Sequence, residues 1–239
     1  MKNLPAVKFF LPLIALVLLL AGCETRSISD SGFRPAYGWG RSANPLYKGE
    51  LTELDILGAA PRQEATAANI AHALATASAP RLKRGDKVIL IQSGAPVPDH
   101  AMLDEAARYF AVAPFSGLPP EERTGMAESL RLRAAQGGYR YIVCYWGVLE
   151  SAQVDKEGKA LSWVPIVGSF VPDQKQQMRL RLKALLVDVE TGGWKMLTPE
   201  VHSGGGYNSH WSRESSDQRL VQALKEKGYR SLAAELAKE

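Results

Sequence analysis

Four histidines are the residues from which a metal site or a general base could be built: His72, His100, His202 and His210. Zinc sites place ligands at short fixed spacings such as His-Glu-x-x-His or Cys-x-x-Cys, and neither pattern occurs. His202 and His210 flank three glycines, and we interpret them as exposed histidines of a loop, with a weak metal or partner site as the alternative. The sequence therefore predicts no metal centre.

Nucleophilic catalysis would need an activated serine or cysteine. Ser93-Gly94 follows an apolar run, where a nucleophile could stand, but no Gly-x-Ser-x-Gly surrounds it, and we interpret it as a turn. Cys144 lies in the apolar run Tyr141-Ile-Val-Cys-Tyr-Trp146, which indicates a buried thiol. Carboxylates are scattered and form no pair suited to acid and base catalysis. We therefore predict no catalytic residue.

The chemistry that the sequence does indicate is at Cys23. Lys2 and Lys8 precede an apolar run from Phe9 to Ala21, and small residues stand directly before the cysteine. This is the order of a cleaved secretory signal, and a run of about 13 residues is shorter than the roughly 20 that a spanning helix needs. The stretch Leu20-Ala21-Gly22-Cys23 resembles the lipobox of bacterial lipoproteins.

The lipobox resemblance implies a defined modification. The chain would be cut between Gly22 and Cys23, the thiol would carry diacylglycerol, and the new N-terminus would carry a further acyl chain such as palmitate. We expect this covalent lipid and no other cofactor. Three acyl chains exceed what stable membrane anchoring needs. Because Glu24 and not aspartate follows the cysteine, we expect the outer membrane, with the domain facing the periplasm.

Charge and cysteine content bound the partners. The formal net charge is +4, and Lys2 and Lys8 would leave with the signal, so the mature chain is nearly neutral and nucleic acid is not an expected partner. With Cys23 acylated, Cys144 has no cysteine to pair with. Exported proteins often use disulfides, so this one must depend on its hydrophobic core.

Length predicts one folded domain behind the signal. Residues 1–22 are interpreted as the signal peptide, and residues 23–48 as the lipidated cysteine with a flexible tether that could reach at most about 80 to 90 Å. Because this stretch contains several aromatic and arginine residues, the alternative is that it lies on the domain, on the bilayer or on a partner. Residues 49–239 are enough for a single domain. Gly- and Pro-interrupted sequence at about 151–177 indicates an insertion within it.

Apolar runs and amphipathic segments alternate through the first half of the domain. This alternation predicts parallel strands joined by helices. We interpret residues 49–57 as a strand, with one turn of helix as the alternative. The further predicted strands are 87–92, 110–115 and 141–146, and the predicted helices are 64–77, 99–109 and 121–136.

The second half indicates a different arrangement. Residues 178–189 alternate as a half-exposed strand would, and a turn at 188–193 leads to Trp194–Leu197, which completes a β-hairpin. Residues 199–213 are predicted to be a loop, and 215–236 a terminal helix. The predicted fold class is α/β, with a mixed sheet in two or three layers, flanking helices, a C-terminal hairpin and a final helix.

The stretch from Arg84 to Leu197 resembles a known pattern of envelope proteins. A strand Lys87-Val-Ile-Leu-Ile91, then Ala134-Ala135-Gln-Gly-Gly-Tyr-Arg-Tyr141-Ile-Val, then Leu186-Val-Asp188-Val-Glu190-Thr191-Gly192 is similar to the TolB N-terminal domain and to lipoproteins such as CsgG and LpoB. The resemblance implies a small α/β domain that binds envelope proteins or itself. Because some proteins similar to it carry an aminopeptidase label, a membrane-anchored hydrolase is the alternative function.

An aromatic and apolar segment is the expected contact surface. If exposed, such a patch would mark a partner or a bilayer contact; the alternative is that it packs on its own sheet. We therefore predict a lipid-anchored envelope protein that acts in assembly by binding a protein partner or itself. The residues expected to make this contact are Trp146, Trp163, Val167 and Phe170.

Overall fold

The computed structural model describes residues 26–31, 46–58, 65–154, 161–165, 176–206 and 213–238. The helices in these ranges are α1 (Glu53–Leu57), α2 (Ala67–Thr76), α3 (His100–Ala107), α4 (Met126–Gln136) and α5 (Arg213–Lys238). The strands are β1 (Arg26–Ser27), β2 (Lys87–Gln92), β3 (Ala111–Phe115), β4 (Tyr141–Val154), β5 (Leu161–Pro165), β6 (Gln176–Asp188), β7 (Trp194–Leu197) and β8 (His202–Gly206). Within residues 151–177 and 206–217, the description is confined to the backbone of these elements.

One mixed sheet joins the strands of the described ranges. Its central order is β3-β2-β4-β6-β7. Strand β2 runs parallel to β3 and β4, whereas β4, β6 and β7 are successively antiparallel. Strands β1 and β5 pair with β4 at residues that also pair with β6, so both lie on the edge of β4 that β2 occupies. Strand β8 lengthens the opposite edge, beside β6.

Helices cover both faces of this sheet. Alternate residues of β2 enter two separate hydrophobic clusters, because successive side chains of a strand point to opposite faces. Val88 and Leu90 pack in the cluster that includes α3 and α5, whereas Ile89 packs in the cluster that includes α1 and α4. The predicted α/β class with flanking helices is confirmed, and its form is the three-layer one.

The predicted crossovers are confirmed as β2-α3-β3 and β3-α4-β4. They place one parallel strand on each side of β2, with β3 on one side and β4 on the other. The strand predicted at 141–146 is longer than expected. It continues to Val154 as β4 and pairs with β6 from Tyr141 to Ser151. The terminal hairpin and the last helix are confirmed as β6-β7 and α5.

Two local predictions are wrong. Residues 53–57 form α1 and not a strand, because Thr52 and Asp55 make a capping box: each side chain accepts a hydrogen bond from the other's backbone N–H. The predicted loop at 199–213 contains β8, whose Gly-rich backbone pairs with β6 from Gln176 to Leu180. Backbone hydrogen bonds form this ladder, so side-chain periodicity does not reveal it.

The start of the predicted tether is also not flexible. Arg26 and Ser27 pair with Leu149 and Val148, and the Ile28 N–H donates to the Gly147 carbonyl at 3.1 Å. Ile28 is 2% exposed, a burial that stabilises by roughly 1.5 to 3 kcal/mol. A Cβ at Gly147 would come within 2.7 Å of the Ile28 side chain, so glycine is what makes room for it. Residues 26–31 are therefore part of the domain.

Candidate functional site

The predicted site residues are described to different extents. Gly22, Cys23, Val167 and Phe170 lie outside the described residues, and Trp163 is described only through the backbone of β5. Their proposed roles stay predictions.

Trp146 packs on its own sheet. Its indole is 7% exposed, its Nε1–H donates to the Leu51 carbonyl at 2.6 Å, and the Lys183 ammonium lies 5.1 Å from the ring centroid. A buried indole with its hydrogen bond satisfied inside the domain stabilises the core. For this residue the structure therefore agrees with the packing alternative and not with a partner contact.

A buried polar cluster lies at the carboxyl end of β2, where the anchor segment, defined as residues 26–31, meets the domain. Gln92 is at its centre. The Gln92 Oε1 accepts hydrogen bonds from the Tyr145 hydroxyl at 2.6 Å and the Asp99 N–H at 2.7 Å. Its Nε2 donates to the Ser29 hydroxyl at 3.1 Å, and Ser29 in turn donates to the Ser93 carbonyl at 2.5 Å. The cluster thus joins the anchor segment to β2, β4 and the start of α3.

Asp99 links the same cluster to α5. Its Oδ2 accepts hydrogen bonds from the Lys225 ammonium at 2.9 Å and from the Tyr229 hydroxyl at 2.5 Å. Lys225 is 8% exposed and also donates to the Ile28 carbonyl at 2.9 Å. Buried charges persist when they are paired and hydrogen-bonded. Residue 28, three positions into the described chain, is therefore held by an ion pair of the core.

The tyrosines of this cluster remain protonated donors. Burial, with the Asp99 charge as a further contribution, raises the pKa of Tyr145 well above its usual value. Burial, together with electrostatic contributions from Tyr145 and Asp99, does the same to the pKa of Tyr229. Their rings pack edge to face with centroids 5.7 Å apart. A hydroxyl that does not ionise holds its neighbours but takes no proton from a substrate.

Ser93 lies beside a carboxylate but is not placed as a nucleophile. Its hydroxyl accepts the Leu51 N–H at 2.8 Å, and the residue is 1% exposed. Burial raises the pKa of Glu50, although hydrogen bonds from Ser27 and Ser93 lower it in part. No histidine of the described residues is bonded to Ser93. The predicted turn agrees with this geometry better than an active-site serine does.

The histidines and Cys144 do not form a reactive centre in the described part. The His202 Nε2 is 2.8 Å from the Ser231 hydroxyl, and His210 lies outside the described residues. No group of three metal-ligating side chains occurs where the structure describes them. Cys144 is fully buried, and this burial raises the pKa of its thiol well above the usual value, which agrees with the predicted structural cysteine.

The Asp188–Gly193 stretch is a tight turn, as predicted. The Asp188 Oδ1 accepts the N–H groups of Glu190 and Thr191, both at 2.9 Å, and Gly192 has a φ of +72°. Burial would raise the pKa of Asp188, but these N–H groups and Arg140 outweigh it and hold the pKa below its usual value. The ionised carboxylate therefore stabilises the turn.

Asp188→Asn is expected to lower the free energy of unfolding by about 1 kcal/mol at pH 7, because a neutral amide accepts these hydrogen bonds more weakly. The folded pKa is below the unfolded value of about 3.9, so the carboxylate's contribution is complete well above pH 4 and is lost as pH falls through the folded pKa. Urea unfolding at pH 7 and pH 3 measures the difference between the two chains. It should shrink at pH 3, whereas the exposed Asp104→Asn control should behave like the parent at both; an undiminished difference at pH 3 would contradict the assignment.

An apolar stripe on α2 is exposed. The predicted amphipathic helix is confirmed, but none of its residues is buried, and Ile70 and Leu74 are 52% and 75% exposed. His72 is exposed on the opposite side of the same helix, since helical neighbours on one face are three or four residues apart. The helix therefore presents apolar side chains that the described part of the domain does not cover.

None of the helices in the described ranges is both long and apolar enough to cross a membrane.

Comparisons with known proteins give one matching family and several similar solved structures, two PelC dodecamers among them. Residues 52–239 match the model of the YafT bacterial lipoprotein family. No curated protein matches the chain. A PelC L103M dodecamer from Paraburkholderia phytofirmans is 18% identical to the chain, and the match covers 64% of this chain and 94% of that one with a TM-score of 0.26. A second PelC dodecamer from the same organism is 19% identical, with coverages of 64% and 93% and the same TM-score of 0.26.

Proposed function

Because the chain belongs to the YafT bacterial lipoprotein family, we propose that it is acylated at Cys23, is held in the outer membrane facing the periplasm, and acts by binding another envelope protein or a second copy of itself. Family membership makes it a lipoprotein of the bacterial envelope. The choice of membrane is supported by Glu24, which stands where an aspartate would favour retention in the inner membrane.

The observation that carries the proposal is the packing of the anchor segment into the folded domain. Arg26, three residues after Cys23, pairs with Leu149, and Ile28 is held by both the core and Lys225. Three extended residues span about 10 Å. A lipid on Cys23 would then hold the whole folded domain at the membrane surface, as an anchored binding module requires.

The solvent exposure of the described side chains supports binding over hydrolysis. Ser93 and Cys144 are buried, whereas the stripe of Ile70 and Leu74 faces solvent. Exposed apolar side chains grouped on one helix face suit a protein partner. We also propose that residues 84–197 form a domain similar to those of TolB, CsgG and LpoB, which would favour a binding role.

Trp163, Val167 and Phe170 remain the proposed apolar contact of the chain with a partner or with the bilayer.

A photoreactive amino acid at position 74 tests the binding role. In cells, Leu74 replaced in this way is expected to form one discrete cross-linked species with a protein, identified by mass spectrometry, because its side chain is 75% exposed on the apolar stripe. The same amino acid at His72, on the polar side of α2, is the matched control and should give little product. Equal labelling of many proteins from both positions would contradict a specific partner on α2.

A further inference from the structure

The two ends of the extended sheet are defined by the direction of its longest strand. Strand β4 runs from Tyr141 to Val154; we name its Tyr141 end the distal end and its Val154 end the anchor end. Because β1 is antiparallel to β4, the chain runs from Ile28 back to Arg26 toward the anchor end. Cys23 is the third residue before Arg26 in the sequence.

A strand ribbon projects from the same end. Strands β4 and β5 pair from Glu150 with Pro165 to Val154 with Leu161. Strand β4 continues five residues beyond Leu149, the partner of Arg26. At about 3.4 Å per residue this extension is roughly 17 Å. The ribbon of residues 151–154 and 161–165 therefore passes the point at which the anchor segment leaves the sheet.

The two lengths decide what the ribbon meets. The three residues from Cys23 to Arg26 reach at most about 10 Å, whereas the ribbon extends roughly 17 Å in the same direction. An acylated Cys23 must lie at the membrane interface. When the sheet stands upright on the membrane, the end of the ribbon reaches beyond the cysteine even if the linker is fully extended along the sheet, so the ribbon enters the headgroup region of the leaflet that holds the lipid.

The composition of the ribbon fits that location. The strand residues Ser151-Ala-Gln-Val154 and Leu161-Ser-Trp-Val-Pro165 contain no charged residue, and Trp163 stands in the middle of β5. The sequence between the two strands, Asp155-Lys-Glu-Gly-Lys-Ala160, carries two lysines and two acids, and lysines are attracted to the anionic headgroups of a bilayer. Tryptophan is enriched where an apolar ring can lie among lipid headgroups. At the distal end Lys87, Arg140 and Glu190 are charged, and Arg140 and Glu190 are largely exposed.

We propose that the ribbon of residues 151–154 and 161–165 is a membrane-contact surface that lies in the headgroup region of the leaflet holding Cys23. The proposal rests on the proposed acylation of Cys23 and deepens it: the lipid is one attachment and the ribbon a second, and together they fix the orientation of the domain. The distal end and α2 remain available to a protein partner.

Fluorophores placed by cysteine substitution test this orientation. Ala152→Cys and Gln153→Cys carry the label on opposite sides of the ribbon, and Glu190→Cys, whose side chain is 76% exposed in the distal turn, is the matched control. Cys144 is fully buried and does not compete for the label. The acylated full-length protein is incorporated into phosphatidylethanolamine and phosphatidylglycerol vesicles containing a lipid with a nitroxide on its headgroup.

At least one ribbon label is expected to be quenched several-fold more strongly than the label at 190, with a blue-shifted emission. Equal quenching of all three labels in protein that floats with the vesicles would overturn the inference alone. If ribbon labels on two copies of the chain quench one another and the nitroxide does not quench them, the ribbon contacts a second copy of the chain. That result would also overturn the membrane-contact inference. Protein that does not float would overturn the proposed acylation, and the inference with it.

Discussion

Cys23→Ser, exported behind a signal peptide that is cleaved without a lipobox cysteine, is expected to move nearly all of the protein from the membrane fraction to the soluble periplasmic fraction. Each buried methylene of an acyl chain contributes about 0.8 kcal/mol to membrane binding, so the loss of all chains removes far more than a surface contact restores. Vesicle flotation measures the shift, and the mass of the N-terminal peptide of the parent shows the lipid directly.

Cys144→Ser is the matched control for this result. Cys144 is buried in β4, and the variant keeps Cys23. It should therefore carry the full lipid and float like the parent. If Cys23→Ser stays in the membrane fraction after a high-salt wash, the lipobox assignment is wrong. If it leaves only in part, the ribbon holds more of the protein than a headgroup contact should.

Asp99→Ala is expected to lower the free energy of unfolding by about 3 kcal/mol. The change leaves the Lys225 ammonium, 8% exposed, without its anion, and the Tyr229 hydroxyl without its acceptor. The Asp99 side chain is 33% exposed, but the Lys225 side chain is only 10% exposed, so removing the aspartate leaves a largely buried charge without compensation. Urea unfolding of the purified domain, followed by circular dichroism, measures the loss.

The double variant Asp99→Ala with Lys225→Met separates the charge from the packing. Methionine keeps most of the lysine stem without its charge, so the double variant should be more stable than Asp99→Ala alone, and a coupling energy follows from the two single variants and the double one. Asp104→Ala, an exposed aspartate of α3, should have little effect. If the losses of the two single variants simply add in the double variant, the coupling energy between Asp99 and Lys225 is close to zero, and the ion pair does not stabilise the fold.

Local patterns were sufficient for the centre of the fold. The apolar run at 87–92 and the alternation at 178–189 identify β2 and β6, because burial on both faces or on one face leaves a period in the sequence. The Asp188 turn was predictable for the same local reason: an aspartate hydrogen-bonds the backbone two and three residues ahead.

The cluster around Asp99 could not be predicted in this way. Asp99 and Lys225 are far apart in the chain and come together only because α3 and α5 cover the same face of the sheet. Nothing in the neighbours of either residue differs from an ordinary helix cap or an exposed lysine. The one sequence signal was Gln92, a polar residue at the end of an otherwise apolar strand.

The anchor segment was misjudged because it is short. Ser, Gly and Pro around residues 27–45 are typical of a tether, and Ile28 alone is too little to show a period. Ile28 packs against Gly147, which leaves room for it because it has no side chain. The sequence does not show this role of the glycine, because the two residues are far apart in the chain. The exposed stripe on α2 shows the converse, since periodicity predicted the helix but not whether its apolar side would be covered.

The pairing of Arg26 with Leu149 also sets an order of events during folding. About 120 residues separate the two, and contacts between such distant residues form late because the intervening chain must first be ordered. In an exported chain the segment after the signal emerges first, and its partner strand emerges much later. We therefore expect β1 to join the sheet last, after β2, β4 and β6 have paired. Until then the β4 edge beside Gly147 is an unpaired strand edge, open to pairing with another chain, so the newly exported protein should be most prone to aggregation in the interval before its own N-terminus closes that edge.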